Sequence, residues 1–252
     1  MFPALLATIA TALSLSVASA AEIKVISANA LADVIVDSKG KFEADSHHSL
    51  AVNVVPTGEV VRRVLGGEGF DVIIAPREAV DELEKKGKIE PGSAVTLTRV
   101  NFGLAVASDA PRPDVSTPEA LKNTLLTART VLITDPATGG ISGVHFMEVV
   151  NKLGIASQMK DKIVVQPGDD DHARHVVQGT ADIAAQAEHQ IRCTRGATFL
   201  DYPAVFQKMV VFIGGAAKGT GDLAAAKSYL SFLTSEGAAN TFRAHCMRQR
   251  AG

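Results

Sequence analysis

Residues 130–146 read TVLITDPATGGISGVHF, and the fold follows from how that stretch is parsed. Thr130 to Thr134 is an apolar, β-branched run of strand length. Asp135-Pro136 signals a turn, and Gly139-Gly140 lets the backbone bend where side chains would clash. Ser142 is then placed to cap a helix carrying His145, Phe146 and Val149. A helix start of this kind points unpaired amide N–H groups and a partial positive charge at one spot, which suits an anion. The same residues also serve an ordinary strand-to-helix connection, because short glycine motifs are not specific.

Working outward, strands and helices alternate on both sides. Before the quoted stretch, strands are expected at Ile23 to Ser27, Leu50 to Val55 and Asp71 to Ala75. Helices are expected at Ala30 to Phe42, at Glu59 to Leu65, and from Pro76 to about Lys86. Continuously apolar strands in this order imply a parallel sheet with helices on both faces. Val95 to Ala107 is one long extended stretch without a helix of its own, fit to carry the chain between lobes. A second α/β series follows: a helix opening at Ser116-Thr117-Pro118-Glu119, the quoted strand, and a helix from Ser142 to Leu153. It continues through a strand at Lys162 to Gln166, a helix from about Asp170 to Gln178, and a short buried strand at Ala181 to Gln186. Gln207 to Gly214 is a second long apolar stretch and a candidate for the return crossing, before helices at Asp222 to Leu233 and Ser235 to about His245.

Composition bounds the rest. The chain has 252 residues, and Met1 to Ala20 holds no charged side chain, is apolar from Ala4 through Val17, and ends Ala18-Ser19-Ala20. That pattern is expected of a cleaved secretory signal, too short for a membrane span, and it places the mature chain in the periplasm. A net charge of −2 with scattered basic residues excludes a nucleic-acid surface. No Trp and two Tyr argue against sugar-stacking sites. Cys193 and Cys246 are the only cysteines; in an oxidising compartment they either pair across distant segments or stay unlinked.

Four segments carry a family resemblance: KVISANALADVI from Lys24, GFDVIIAPREAVDEL from Gly69, TDPATGGISGVHFMEVVNKLGI from Thr134, and VVQGTADIAAQ from Val176. Through them the chain resembles the periplasmic solute-binding proteins of ABC importers, in the molybdate-binding-like branch. The resemblance implies the type II periplasmic binding protein fold: two Rossmann-like α/β lobes joined by two crossover strands, with a ligand cleft between the lobes. The implied division is a signal at 1–20, one lobe from 21–98 plus 210–252, and the other from 99–209.

Against the molybdate pattern, Ala30 replaces a hydroxyl before Leu31, the second loop reads Pro56-Thr57-Gly58-Glu59 instead of being serine-rich, and Gln186 stands where a Tyr is usual. A tetrahedral oxyanion needs neutral donors at fixed geometry, so losing several points to a di- or tricarboxylate. Ser27, Asn29, Thr57, Gly58 and Arg77 lie at the carboxyl ends of the first three strands, the rim where open α/β folds bind ligands. Arg77 either grips a carboxylate or is a solvated first-turn residue balanced by Glu78. Thr138, Gly140, Ser142 and His145 are expected to face them from the other lobe, with Gln186; His145 is either a ligand contact or a partly buried, hydrogen-bonded residue.

Gly168-Asp169-Asp170-Asp171-His172 invites a metal reading, but acids at a helix start are favoured by the dipole alone, and no metal is expected. No cofactor is expected either. Two functions remain. One is a monomeric receptor that traps a small organic anion and delivers it to an ABC permease. The other, implied by the same branch, is a periplasmic aconitate isomerase-like enzyme that moves a proton across an allylic carbon, with His145, Glu188, His172 and His175 as available acids and bases.

Overall fold

The computed structural model describes residues 20–166 and 171–249. The expected signal at 1–20, apart from its last residue, and the start of the acidic run at 168–170 lie outside the described residues.

The first lobe opens with β1 (Glu22–Ala28), a 3-10 turn (Asn29–Leu31) and α1 (Ala32–Ser46), then β2 (Ser49–Val55), α2 (Thr57–Leu65), β3 (Val72–Pro76) and α3 (Arg77–Lys85). β4 (Val95–Ala107) leads into α4 (Pro118–Thr127), β5 (Val131–Thr134), a 3-10 turn (Pro136–Thr138), α5 (Ile141–Lys152), α6 (Ala156–Met159) and β6 (Ile163–Gln166). The chain continues with α7 (His172–Val177), β7 (Ile183–Ala187), α8 (Glu188–Cys193), β8 (Ala197–Asp201) and a 3-10 turn (Ala204–Phe206). It ends in β9 (Met209–Ala216), α9 (Leu223–Leu233) and α10 (Glu236–Ala244). Several helix starts are fixed locally: Thr117, Asp222 and Ser235 accept backbone N–H bonds from Ala120, Ala225 and Gly237, satisfying donors the helix itself cannot.

The strands run in the order β2-β1-β3-β9-β4-β7-β5-β6, with β8 paired to β4. The parallel pairing expected of the first three strands is present, and the two crossover strands add antiparallel pairs to it. β1 is parallel to β2 and β3, and β5 is parallel to β6 and β7, but β9 runs antiparallel to β3 and β4, and β4 antiparallel to β7 and β8. The reason is connectivity: β4 enters the second lobe and β9 returns from it, so they must oppose each other. β4 changes partners along its length, from β9 over Val95 to Asn101 to β7 and β8 from Phe102 onward. It is the crossover the sequence suggested, with the same bounds. β8 was not foreseen, nor were α6 and α8, because each is short and bounded by few breakers.

Buried side chains gather accordingly. One cluster joins β1, β3 and β9 to helices on their faces through Val25, Ile73, Ile35, Val80, Phe212 and Tyr229. In the second lobe, Val131 and Ile133 face Phe146 and Val149 of α5, whereas Leu132 faces Ala173 and Val176 of α7. That alternation explains why β5 is apolar throughout: both of its faces are covered. Each such side chain contributes about 1.5–3 kcal/mol, against about 0–1 kcal/mol for exposed ion pairs such as Lys41–Asp45, so packing and not surface charge holds the lobes.

Candidate functional site

Three helix starts from two lobes open onto one cleft. Asn29 and Ala30 come from the turn leading into α1, Pro56 and Thr57 from the start of α2, and Gly140, Ile141 and Ser142 from the start of α5. Phe102 of β4 and Thr134 of β5 line it as well, and Ala187 and Gln190 complete it at α8. The first amides of each helix lack intrahelical acceptors, so their N–H groups and the positive dipole ends are directed at the same small space. Among the described lining residues none carries an ionisable side chain.

The arrangement around α5 differs from the expected cap. Gly140 is the N-cap without a side-chain bond, and Ser142 lies inside the first turn, where its Oγ shares a 3.0 Å hydrogen bond with Thr134 Oγ1. One hydroxyl donates to the other, which leaves one proton of the pair for a guest. Gly143 allows this approach of α5 to β5: a Cβ at that position would collide with the Thr134 carbonyl.

The lobes meet at a pair of glycines. A Cβ on Gly58 would lie 3.3 Å from the Thr138 carbonyl oxygen, and one on Gly139 would lie 3.0 Å from the Gly58 backbone. Gly139 also has φ 78°, the left-handed region that disfavours any side chain. This contact lies beside the cleft, whose volume is about 30 Å³, room for about two waters. Larger hollows of about 860 and 830 Å³ lie elsewhere, but neither gathers starts of long helices.

Of the residues expected at the site, Asn29, Thr57, Gly140 and Ser142 line the cleft, and Gly58 and Thr138 stand at its mouth. Four others are placed elsewhere. Ser27 is fully buried with its Oγ on the Ala28 carbonyl, and Arg77 donates to Thr96 Oγ1 at 3.0 Å on the neighbouring crossover strand. Gln186 is buried and its Oε1 accepts the Ala173 N–H at the start of α7. His145 points into the second lobe, edge-on to Tyr202 with ring centroids 5.1 Å apart and Nδ1 3.5 Å from Glu148 Oε2; burial lowers its pKa.

The other candidate acids and bases are also outside the cleft lining. His172 is buried at the start of α7, His175 bonds Thr180, and Glu188 is engaged by Arg192 and Asn101 on the far side of α8. Among the described residues no cluster could hold a metal ion, and Asp171 instead caps α7 by accepting from Arg174 N. Phe102, Thr134 and Gln190 line the cleft without having been expected there. Gln190 was legible in principle, since it follows the carboxyl end of a buried strand as Asn29 and Thr57 do.

Cys193 and Cys246 form a disulfide, which resolves the alternatives left by their spacing. It ties the end of α8 in the second lobe to the segment after α10 in the first. Among the described residues no helix is long and apolar enough to cross a membrane.

Residues 23–248 match the family model described as bacterial extracellular solute-binding protein. The chain is similar to an aconitate isomerase from a Pseudomonas species, with 27% identity over 182 residues, 71% of this chain and 68% of that protein. It is also similar to the molybdate-binding protein ModA of Azotobacter vinelandii, with 27% identity over 175 residues, 69% of this chain and 68% of that one. The solved periplasmic molybdate-binding protein from Azotobacter vinelandii shares the fold at a TM-score of 0.70 and 20% identity, covering 89% of this chain and 98% of its own.

Proposed function

We infer a capture function for this chain, which belongs to the bacterial extracellular solute-binding proteins. It holds a small anion between its lobes in the periplasm, after export by the segment at 1–20, and hands it to an ABC permease. The observation that carries this reading is the meeting of three helix starts in a cleft lined by neutral side chains. Such a site stabilises negative charge through fixed N–H dipoles and hydroxyls, with no counter-charge to retain the guest after opening.

The proposed guest is a carboxylate. Of the cleft-facing side chains, hydroxyls come only from Thr57, Thr134 and Ser142, few for the four oxygens of a tetrahedral oxyanion. A cleft of about 30 Å³ is too small for a whole di- or tricarboxylate, so such a guest binds with the lobes further apart. The similarity to an aconitate isomerase favours a second reading, proton transfer on the same scaffold. Against it stands the cleft lining, which offers no acid or base among the described residues.

Calorimetry with molybdate, aconitate, citrate and short dicarboxylates, alongside proton NMR of cis-aconitate incubated with the protein, tests both. Micromolar heat from one carboxylate class without isomerisation is expected. Binding of molybdate alone overturns the carboxylate assignment, and turnover of cis- to trans-aconitate overturns the receptor.

A further inference from the structure

Three guanidinium groups from distant parts of the chain line one groove beside the hinge. Arg99 belongs to β4 as it crosses between lobes, and Arg192 to α8. Arg248 belongs to the C-terminal segment, which is held against β4 by the Thr98 Oγ1 bond to its carbonyl and by the Thr98–Gln249 bridge. The groove measures about 830 Å³, within the range of roughly 300–1,000 Å³ for small-molecule sites. Its single carboxylate is already engaged: Glu188 Oε1 accepts from Arg192 Nε at 2.6 Å and Oε2 accepts from Asn101 Nδ2 at 3.0 Å.

Among the described residues, Arg99 and Arg248 have no ion pair. His189, on the same wall, adds no charge near neutral pH, because burial pushes its pKa down to about 4, and its Nδ1 is buried without a hydrogen-bond partner. With Arg192 paired to Glu188, the guanidinium groups of Arg99 and Arg248 are left in the groove without a carboxylate, in a chain whose net charge is −2. The Cys193–Cys246 bond anchors this wall, since Cys246 lines the groove.

We propose that this groove is a second anion-binding site, separate from the interlobe cleft, for a small solute bearing two or more carboxylate or phosphate groups. An exposed guanidinium holds a single anionic group weakly. A multivalent guest engages Arg99 and Arg248 together, each through a planar fork suited to either oxyanion.

The test is calorimetry of the full chain at low salt with pyrophosphate, citrate, inorganic phosphate and acetate, repeated on Arg99→Ala/Arg248→Ala, Arg99→Lys/Arg248→Lys and Ser142→Ala. Pyrophosphate or citrate should bind more tightly than phosphate or acetate, and added salt should weaken that binding. Affinity should fall about tenfold or more in the double Ala variant, with most of it kept in the double Lys variant. Pyrophosphate without citrate assigns a phosphate guest, and the reverse a carboxylate one. Equal affinity in wild type and the double Ala variant overturns the proposal. So does binding lost in Ser142→Ala and intact in the double Ala variant, which assigns the anion to the cleft, and so does an absence of heat from every multivalent anion.

Discussion

Replacing both cysteines, as Cys193→Ser/Cys246→Ser, removes a link whose contribution can be worked from its span. The two residues are 53 apart in sequence. In the chain-entropy treatment, freeing a loop of that size returns about 14 cal/mol/K to the unfolded state, or about 4 kcal/mol at room temperature. Both positions are solvent-exposed, so the lost side-chain packing adds little. Against a total stability of about 5–15 kcal/mol for a folded domain, this is a large share. The assay is urea denaturation of the oxidised protein and the double Ser variant, followed by circular dichroism. The variant should show a midpoint shifted down by the equivalent of about 4 kcal/mol, and a steeper denaturant dependence because its unfolded chain is less compact. A difference below about 1 kcal/mol refutes the reasoning. It would mean that the denatured ensemble already holds α8 near the C-terminal segment, or that the bond does not form in the native protein.

Two other perturbations probe closure and protonation. Gly139→Ala places a Cβ against Gly58 in a left-handed residue; it should cost about 1–2 kcal/mol in thermal or chemical unfolding and enlarge the solution radius measured by small-angle scattering, and an unchanged radius argues against the glycine contact as the closing surface. His189 has a folded pKa of about 4 against an ordinary 6.5, so the unfolded state takes up a proton that the native state refuses between those values. Stability present above pH 6.5 is therefore lost as pH falls toward 4, by about 3 kcal/mol, and His189→Gln should flatten that part of a stability-versus-pH curve; an unchanged slope rules out this residue as its source.

Much of the architecture was legible from local pattern. The stretch from Val95 to Ala107 is extended over the full predicted range, and the strand, glycine turn and helix around residues 130–146 fall within a residue or so of expectation. β9 runs two residues beyond its expected end at Gly214, through Gly215 and Ala216, and the missing side chain at Gly215 makes room for Ile89. The site was legible only in outline. Helix starts could be read, but Arg77 and His145 were placed near the site by their position after a strand end and a glycine loop, and position along the chain does not fix a side chain's direction. Arg77 follows β3, and its guanidinium donates to Thr96 on β4, the strand on the other side of β9.

The order of elements, the apolar strands and the amide-rich loops are properties of short windows, and the sequence alone determined them, since a side chain's period and a glycine's freedom act over a few residues. Which loops face each other, which cysteines join, and which arginines share a groove required the tertiary structure. Those pairings join distant parts of the chain, 149 residues apart in the case of Arg99 and Arg248, and are set by how two separately packed cores close on their crossover strands, a long-range balance that no local pattern encodes.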